Sequence, residues 1–291
     1  MTDAGVPLLW QGLGLPGLVD LHVHFMPRQV MDKVWAYFDD VGPLTGVPWP
    51  IAYREEEADR LARLRGFGVR AFPALVYPHK PGMAAWLNAW GAGFAAQHPD
   101  VVQTATLYPE EGVGRYVAQA LDGGARLVKV HLQVGAFDPR DQLLDDAWGL
   151  LADAGTPVVT HCGGGPVPGP FTGPGPMAEV LARHPGLTVV VAHMGMPEYA
   201  DFLALARRYP RVHLDTTMAF TDFSEGAWPF PPALLPELVD LQERIVLGSD
   251  FPNTPYPYSH QLEALVRLGL GDDWLRAVLH DNGARLLGLR T

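Results

Sequence analysis

Two histidines separated by one residue give this chain a pair of side chains that could bind a metal ion. They lie in Asp20-Leu21-His22-Val23-His24, and the apolar run Leu15–Val19 before this pentapeptide predicts a β-strand. Side chains alternate across a strand, so we expect His22 and His24 to point to the same side. The chemistry open to such a pair is that of a divalent ion, which activates water or polarises a carbonyl group.

Three further apolar runs end in a histidine or a carboxylate. His161, His193 and Asp250 each close such a run. Imidazole nitrogens together with a carboxylate oxygen suit Zn²⁺, with Mn²⁺, Co²⁺ or Fe²⁺ as alternatives. The residues alone leave open whether His193 is a fourth histidine ligand or a catalytic acid or base, a role that an imidazole can fill near neutral pH. We therefore predict one divalent metal ion, most simply Zn²⁺.

The elements that must position these side chains alternate along the chain. Short runs rich in Val, Leu and Ile alternate with helical patterns, which predicts repeated βα units and a parallel sheet. The connections that leave the strands are longer than those that enter them, as in a barrel whose active site is built at the carboxyl ends of its strands. We predict an α/β chain of the (β/α)8 TIM-barrel type, with residues 1–291 as a single domain.

The predicted boundaries follow from this periodicity. Eight strands are expected near residues 16–22, 68–76, 101–107, 125–131, 156–161, 187–193, 211–215 and 244–249. Eight helices are expected near residues 53–66, 82–98, 111–122, 141–154, 175–185, 197–209, 234–242 and 256–270. The segment from Phe25 to Pro50 is expected to be an irregular connection, and Asp281-Asn282 is expected to cap the second of two terminal helices.

Composition excludes several classes of protein. The net charge of −11 comes without a block of like charges, and no basic stripe predicts a nucleic-acid partner. Cys162 is the only cysteine, so no intramolecular disulfide can form, and strand alternation turns it away from the face of His161. Neither a signal peptide nor an apolar run of ~20 residues is evident. We expect a cytoplasmic protein with a small-molecule substrate and no membrane partner.

With these motifs the chain resembles the amidohydrolase superfamily, and within it the amidohydrolase-2 group that includes aminocarboxymuconate semialdehyde decarboxylase. The resemblance is carried, in chain order, by Asp20–Phe25, His161, His193-Met194-Gly195 and Gly248–Pro252. It implies metal ligation by four of the side chains already singled out, namely His22, His24, His161 and Asp250. It further implies that His193 orients water or polarises substrate, and that the protein is a homodimer.

The fourth predicted strand, Leu127–His131, adds two polar side chains. Lys129 and His131 should share one face of this strand, and unpaired polar groups buried there would cost about 1–3 kcal/mol. Some binuclear amidohydrolases carry a carboxylated lysine on this strand; we favour one metal, with Lys129 and His131 as candidate substrate-binding residues. Arg28 is a further candidate for a substrate carboxylate. Asp215, on the seventh strand, is suited to orient a histidine.

The sequence thus predicts a metal-dependent hydrolase that acts on a small organic molecule, either aromatic or carboxylated. In this reading Asp250 and His193 activate water for attack on a carbonyl carbon. A zinc-dependent decarboxylase would use the same ligands, with His193 or Asp250 managing the proton that replaces carbon dioxide. A barrel that binds a ligand without turnover is the third alternative.

Overall fold

The computed structural model describes residues 1–289 as two compact units. Unit 1 contains residues 1–72 together with the chain from residue 216 onward, and unit 2 contains residues 73–215. Within residues 1–289, no helix combines the length and the apolar character needed to cross a membrane. That the chain forms a single domain stays a prediction.

The strands are short and lie within the runs that the sequence predicts, because those runs are rich in β-branched residues that pack well on a pleated surface. They are β1 (Leu18–Val19), β2 (Val69–Pro73), β3 (Val101–Val102), β4 (Thr104–Thr106), β5 (Leu127–His131), β6 (Val158–His161), β7 (Val189–Val191), β8 (Val212–Asp215) and β9 (Ile245–Val246). The third predicted strand is therefore interrupted at Gln103, and the sixth ends two residues before His193.

The helices alternate with the strands from α4 onward. They are α1 (Val6–Gly12), α2 (Arg28–Asp40), α3 (Gly42–Thr45), α4 (Glu57–Phe67), α5 (Ala84–Gln97), α6 (Val113–Asp122), α7 (Leu132–Gly135), α8 (Asp145–Ala154), α9 (Pro174–Arg183), α10 (Tyr199–Arg208), α11 (Asp222–Glu225), α12 (Leu235–Asp240), α13 (Tyr258–Arg267), α14 (Asp272–Arg276) and α15 (Asn282–Leu286). Short 3₁₀ turns are found at Asp3–Gly5, Gln142–Leu144, Ala192–Gly195, Pro232–Leu234 and Gln242–Arg244.

Parallel pairing holds throughout the sheet of unit 2. Strands β4 to β8 pair in chain order, each parallel to the next. The register places His131 directly beside His161 at the carboxyl ends of β5 and β6. Parallel strands need a crossover between them, and helices α6, α8, α9 and α10 supply it. Neighbouring strands therefore bring their carboxyl-terminal residues to one edge of this sheet.

Unit 1 contains the first and last strands. There β1 is parallel to β2, and the chain beyond β1 continues beside the chain beyond β9 through a parallel bridge between Val23 and Phe251. Glycine ends the helix that precedes β2, because Gly68 adopts the left-handed conformation (φ 83°) that other residues avoid. Residues 22–24 and residue 250 therefore lie on neighbouring segments of unit 1.

Two expectations about the helices are wrong. The connection after Phe25 contains α2, whose buried Met31 and Trp35 lie four residues apart on one helix face. Asp281 caps no helix: its backbone is helical, and residues 277–281 form a π-helical turn between α14 and α15. Asn282 instead donates its side-chain N–H groups to the carbonyls of Gln242 and Ile245, at 2.6 and 2.7 Å.

Candidate metal centre

Unit 1 brings two histidines and one carboxylate into a single buried cluster. The Nε2 atoms of His24 and His22 lie 2.9 and 3.6 Å from Oδ1 of Asp250. One ligand atom from each residue can be chosen so that all three lie within 4.8 Å of one another. The two imidazole rings meet edge to face, with their centroids 5.2 Å apart. The prediction that His22 and His24 point to the same side is therefore confirmed.

Main-chain hydrogen bonds hold the two segments that carry this cluster together. The N–H of Asp250 donates to the carbonyl of His22 at 2.8 Å, and the N–H of His24 donates to the carbonyl of Phe251 at 2.7 Å. These are the bonds of a parallel strand pair, although the regular strands β1 and β9 end earlier in the chain. The spacing of the three ligands is thus fixed by backbone as well as by side-chain contacts.

A tight turn directs the Asp250 side chain. Its backbone is left-handed (φ 64°), and its carbonyl accepts the N–H of Asn253 at 2.8 Å. Two indoles anchor the far side of this turn: Trp35 donates to the side-chain oxygen of Asn253 at 3.1 Å, and Trp49 donates to its carbonyl at 2.7 Å. The turn is therefore braced by α2 and by the connection that follows it.

The donors of the cluster fit a divalent metal ion. Sites that keep a position open for water or substrate often use three protein ligands, and two histidines with one carboxylate form such a set. Unprotonated imidazole nitrogens and a carboxylate oxygen that face one another in a buried space are the donors that Zn²⁺ and related ions prefer. His22, His24 and Asp250 could therefore hold the metal that the sequence predicts.

Unit 2 gathers a second group of imidazoles at the ends of its strands. The rings of His131 and His161 stack with centroids 4.0 Å apart and an interplanar angle of 11°, while His193 meets His161 edge to face at 4.8 Å. The Tyr77 ring lies 4.8 Å from that of His131. Three of the predicted site residues are thus neighbours within this unit.

Hydrogen bonds define which ring nitrogens carry protons in this group. The His161 Nε2 lies 2.9 Å from the carbonyl oxygen of Gly165. Because a carbonyl only accepts, this contact requires a proton on Nε2 and leaves the lone pair of neutral His161 on Nδ1. The Nδ1 of His131 accepts the N–H of Val134 at 3.3 Å, so the neutral His131 ring carries its proton on Nε2.

His193 occupies a strained turn rather than the end of a strand. His193 and Met194 both have φ 56°, a left-handed conformation that few non-glycine residues adopt. The carboxylate of Asp215 accepts the backbone N–H of His193 at 2.8 Å. Asp215 therefore orients His193 through its backbone.

Lys129 is completely buried on β5, two residues before His131. The neighbouring Cys162 is also buried, and desolvation raises the pKa of its thiol far above the usual range despite the opposing charge of Lys129. A thiol that stays protonated is a poor nucleophile, which agrees with a packing role for Cys162.

Arg28 lies outside the ligand cluster. Its side chain is 68% exposed, and it forms ion pairs with Asp32 at 3.2 Å and with Glu56 at 2.6 Å. These pairs border a groove of about 880 Å³ that is lined mainly by charged side chains of α2, of α4 and of the residues just before α4. A substrate carboxylate would have to compete with both acidic partners for this guanidinium.

An aromatic cluster adjoins the metal centre in unit 1. Trp49 and Tyr256 are buried in it, and the Trp49 ring meets Phe223 edge to face at 4.9 Å. Burial raises the pKa of Tyr256 well above its usual range, and the negative charge of Asp250 adds to the effect. The phenol therefore stays protonated in the electrostatic neighbourhood of a candidate ligand.

A family model described as amidohydrolase matches residues 19–289. The chain belongs to the amidohydrolase family. The match begins at β1 and includes both histidine groups and Asp250. Members of this family are enzymes, hydrolases and decarboxylases among them, and are generally metal-dependent. No curated protein matches this amidohydrolase in sequence.

Solved structures with the same fold are distant in sequence. An uncharacterised TIM-barrel protein, Bb4693 of Bordetella bronchiseptica, is 20% identical with a TM-score of 0.74, covering 94% of this amidohydrolase and 98% of that chain. The 5-carboxyvanillate decarboxylase LigW of Sphingomonas paucimobilis is 14% identical with a TM-score of 0.63, and the match covers 94% of this amidohydrolase and 100% of that chain. A candidate 2-pyrone-4,6-dicarboxylic acid hydrolase of Pseudomonas putida is 16% identical with a TM-score of 0.61, and the match covers 95% of this amidohydrolase and 99% of that chain. The predicted (β/α)8 TIM-barrel fold is confirmed.

The sequence did not identify several groups that organise these sites in the amidohydrolase. Asp20, Gly165 and Asn253 each hold a candidate site residue or its turn through a hydrogen bond. For Asp20 a signal exists, because a carboxylate at the end of an apolar strand needs donors when it is buried. For Gly165 and Asn253 the interacting group is a backbone atom, which no residue type reveals.

Proposed function

We propose that this amidohydrolase is a metal-dependent hydrolase of small organic molecules. The observation that carries the proposal is the buried cluster of His22, His24 and Asp250, whose ligand atoms converge within 4.8 Å. We propose Zn²⁺ as the resident ion because nitrogen and carboxylate donors suit it, with Mn²⁺, Co²⁺ or Fe²⁺ as alternatives.

A fourth ligand and a catalytic imidazole are proposed from the motifs. His161 would ligate through Nδ1, since the carbonyl of Gly165 occupies its Nε2–H. His193 is proposed to act as acid or base rather than as a ligand. Metal content separates these roles, because loss of a ligand lowers it and loss of an acid or base does not.

The bound ion would supply Lewis acidity, lowering the pKa of water and polarising a carbonyl or carboxyl oxygen. A carboxylate oxygen of Asp250 is proposed to take the proton of the attacking water. One ring nitrogen of His193 is proposed to hold a proton and deliver it to the leaving group. The Asp215 carboxylate would keep the His193 backbone in place during this transfer.

An aromatic or carboxylated substrate fits the surroundings of these residues. The aromatic cluster around Trp49 and Tyr256 offers an apolar surface beside Asp250. Lys129 and His131 are proposed to bind polar groups of the substrate, and Arg28 is proposed to add a contact on leaving its acidic partners. We propose a small-molecule substrate as the partner of the protein, and neither nucleic acid nor a membrane.

The test uses purified protein loaded with Zn²⁺ and water enriched in oxygen-18. The activities named for two fold neighbours provide probe substrates, namely a 2-pyrone-4,6-dicarboxylate and 5-carboxyvanillate, and simple aryl esters extend the panel. Hydrolysis places solvent oxygen in the product without release of carbon dioxide. Release of carbon dioxide without incorporation of solvent oxygen would overturn the hydrolase proposal.

Decarboxylation is the second candidate, and Lys129 is the observation that favours it. The buried Lys129 side chain, two residues before His131, is proposed to bind a substrate carboxylate through its amino group. In that case His193 or Asp250 would place a proton on the carbon that loses carbon dioxide. Stoichiometric binding of a substrate without any product in either assay would instead identify a ligand-binding barrel.

A further inference from the structure

A buried carboxylate lies directly behind the ligand cluster of unit 1. Asp20 is fully buried, and its Oδ1 accepts the backbone N–H of His22 at 3.0 Å and that of Ser249 at 3.2 Å. One donor belongs to a proposed ligand, and the other belongs to the residue just before Asp250. A single oxygen atom thus bridges the two segments that carry the ligands.

The second oxygen of Asp20 reaches a third element. The Tyr258 hydroxyl, at the start of α13, donates to Oδ2 at 2.9 Å. The backbone N–H of Tyr258 in turn donates to the hydroxyl of Tyr53 at 2.5 Å. The Asp20 carboxylate therefore fixes both ligand segments to a helix that contributes no ligand itself.

The hydrogen bonds of Asp20 indicate a role other than metal ligation. It accepts three hydrogen bonds, and the metal-capable group contains His22, His24 and Asp250 without it. Hydrogen bonds to a charged acceptor are shorter and stronger than those between neutral groups, so an ionised Asp20 resists movement of either backbone. The direct bonds between His22 and Asp250 set the register, whereas Asp20 restrains the turn from which Asp250 projects.

We propose that Asp20 is a positioning residue of the metal centre, which holds His22 and Asp250 at the separation that one divalent ion requires. The inference rests on the proposed metal-dependent function. Groups that orient metal ligands from behind typically affect metal affinity by about 10–100-fold when they are removed. Asp20 is expected to act on the ion through backbone geometry rather than through a bond to it.

The experiment measures Co²⁺ binding to Asp20→Asn and Tyr258→Phe in the full chain. The Asp20→Asn change keeps the size of the side chain and removes its charge; Tyr258→Phe removes one of the three donors. Asp153→Asn, on the exposed surface of α8, is the matched control. Affinity is measured by competition with a chromophoric chelator, geometry by the visible absorption of bound Co²⁺, and folding by thermal unfolding of the metal-free proteins.

We expect wild type and Asp153→Asn to bind one Co²⁺ per chain with the same affinity and spectrum. Asp20→Asn should bind about 10–100-fold more weakly with a changed spectrum, and Tyr258→Phe should change both in the same direction to a smaller extent. A folded Asp20→Asn that matches wild type in affinity and spectrum overturns the inference. If Asp20→Asn does not fold, a folded Tyr258→Phe identical to wild type overturns it. A wild-type protein that does not bind Co²⁺ overturns the metal-dependent function itself.

Discussion

At the scale of single residues, two proposed catalytic groups have left-handed backbones, a conformation that Asp and His adopt more often than most non-glycine residues. Asp250 has φ 64° and His193 has φ 56°. The left-handed region costs a non-glycine residue roughly 1–2 kcal/mol. The carbonyl of Asp250 accepts the N–H of Asn253, and the N–H of His193 donates to Asp215; these hydrogen bonds help to maintain the two conformations.

The two histidine roles make different predictions for metal and activity. His22→Ala should lower metal content and activity together, because it removes one of three converging ligands. His193→Ala should lower activity by about 10²–10⁴-fold with metal content unchanged. Elemental analysis and the oxygen-18 assay measure the two quantities, and His98→Ala, at the end of α5, serves as a histidine control. Metal loss in His193→Ala would make His193 a ligand.

A buried histidine outside the ligand cluster should make stability depend on pH. Burial lowers the pKa of His280, with Arg70 adding to the effect and Asp281 opposing it. The unfolded chain takes up a proton below about pH 6.5. The folded chain does so only at lower pH, so the free energy of unfolding should fall by at most about 1.4 kcal/mol per pH unit as pH drops through this window. His280→Gln should flatten the profile in urea titrations; parallel profiles for the two proteins would contradict the assignment.

The site residues that could be predicted from the sequence are those whose residue type indicates their chemistry. His22, His24 and Asp250 could be predicted because ligand-type side chains recur at the ends of several predicted strands. The contacts of Gly165 and Asn253 could not, because they depend on where a backbone carbonyl points after a turn. The roles of His161, His193, Lys129, His131 and Arg28 stay predictions.

At the scale of elements, the strands could be placed from the sequence, whereas helix α2 and the shorter helices α1, α3, α7 and α11 could not. The β5 residues Leu127–His131 were predicted to within two positions, since β-branched residues and flanking glycines mark such runs clearly. Helix α2 was missed because charged and aromatic residues dominate it, and only two of its side chains, Met31 and Trp35, are buried. Its Trp35 nevertheless braces the turn after Asp250, so a helix outside the predicted pattern supports the site.

The turn that carries His193 should depend on Gly195. A Cβ atom at this position would lie 2.0 Å from Cδ2 of Phe202, and the backbone is left-handed (φ 74°). Gly195→Ala should therefore lower the free energy of unfolding by roughly 2–5 kcal/mol. Gly66→Ala is the control: it lies within α4 with no atom near its Cβ, and should raise stability by roughly 0.5–1 kcal/mol. Urea unfolding of both variants measures the difference, and equal effects would contradict the steric argument.

At the scale of the whole molecule, the fold is preserved in proteins only 14–20% identical to this one. Parallel βα units tolerate such divergence because different apolar side chains of similar volume can occupy the same core position. The same tolerance means that a shared barrel does not identify a substrate. A homodimer also stays a prediction of the family resemblance, and light scattering of the full chain would test it.

Removal of metal should lower the stability of the whole protein. An ion held by the folded chain at 100 times its dissociation constant stabilises that chain by about 2.7 kcal/mol. Excess chelator should therefore lower the midpoint of thermal unfolding by several degrees. His22→Ala, which lacks a ligand, should unfold at the same temperature with and without chelator. A wild-type protein that is equally insensitive would argue against a metal bound by the native state.

The Asp20 carboxylate and the Ser249 N–H that it accepts are separated by 229 positions in the chain. During translation, a nascent polypeptide that has not yet emerged as far as Asp250 exposes His22 and His24 without their acidic counterpart. Binding of the proposed metal ion should therefore wait until residue 250 has been synthesised. Ribosomes stalled ahead of codon 249 should carry chains that fail to retain cobalt, whereas released full-length chains should retain it.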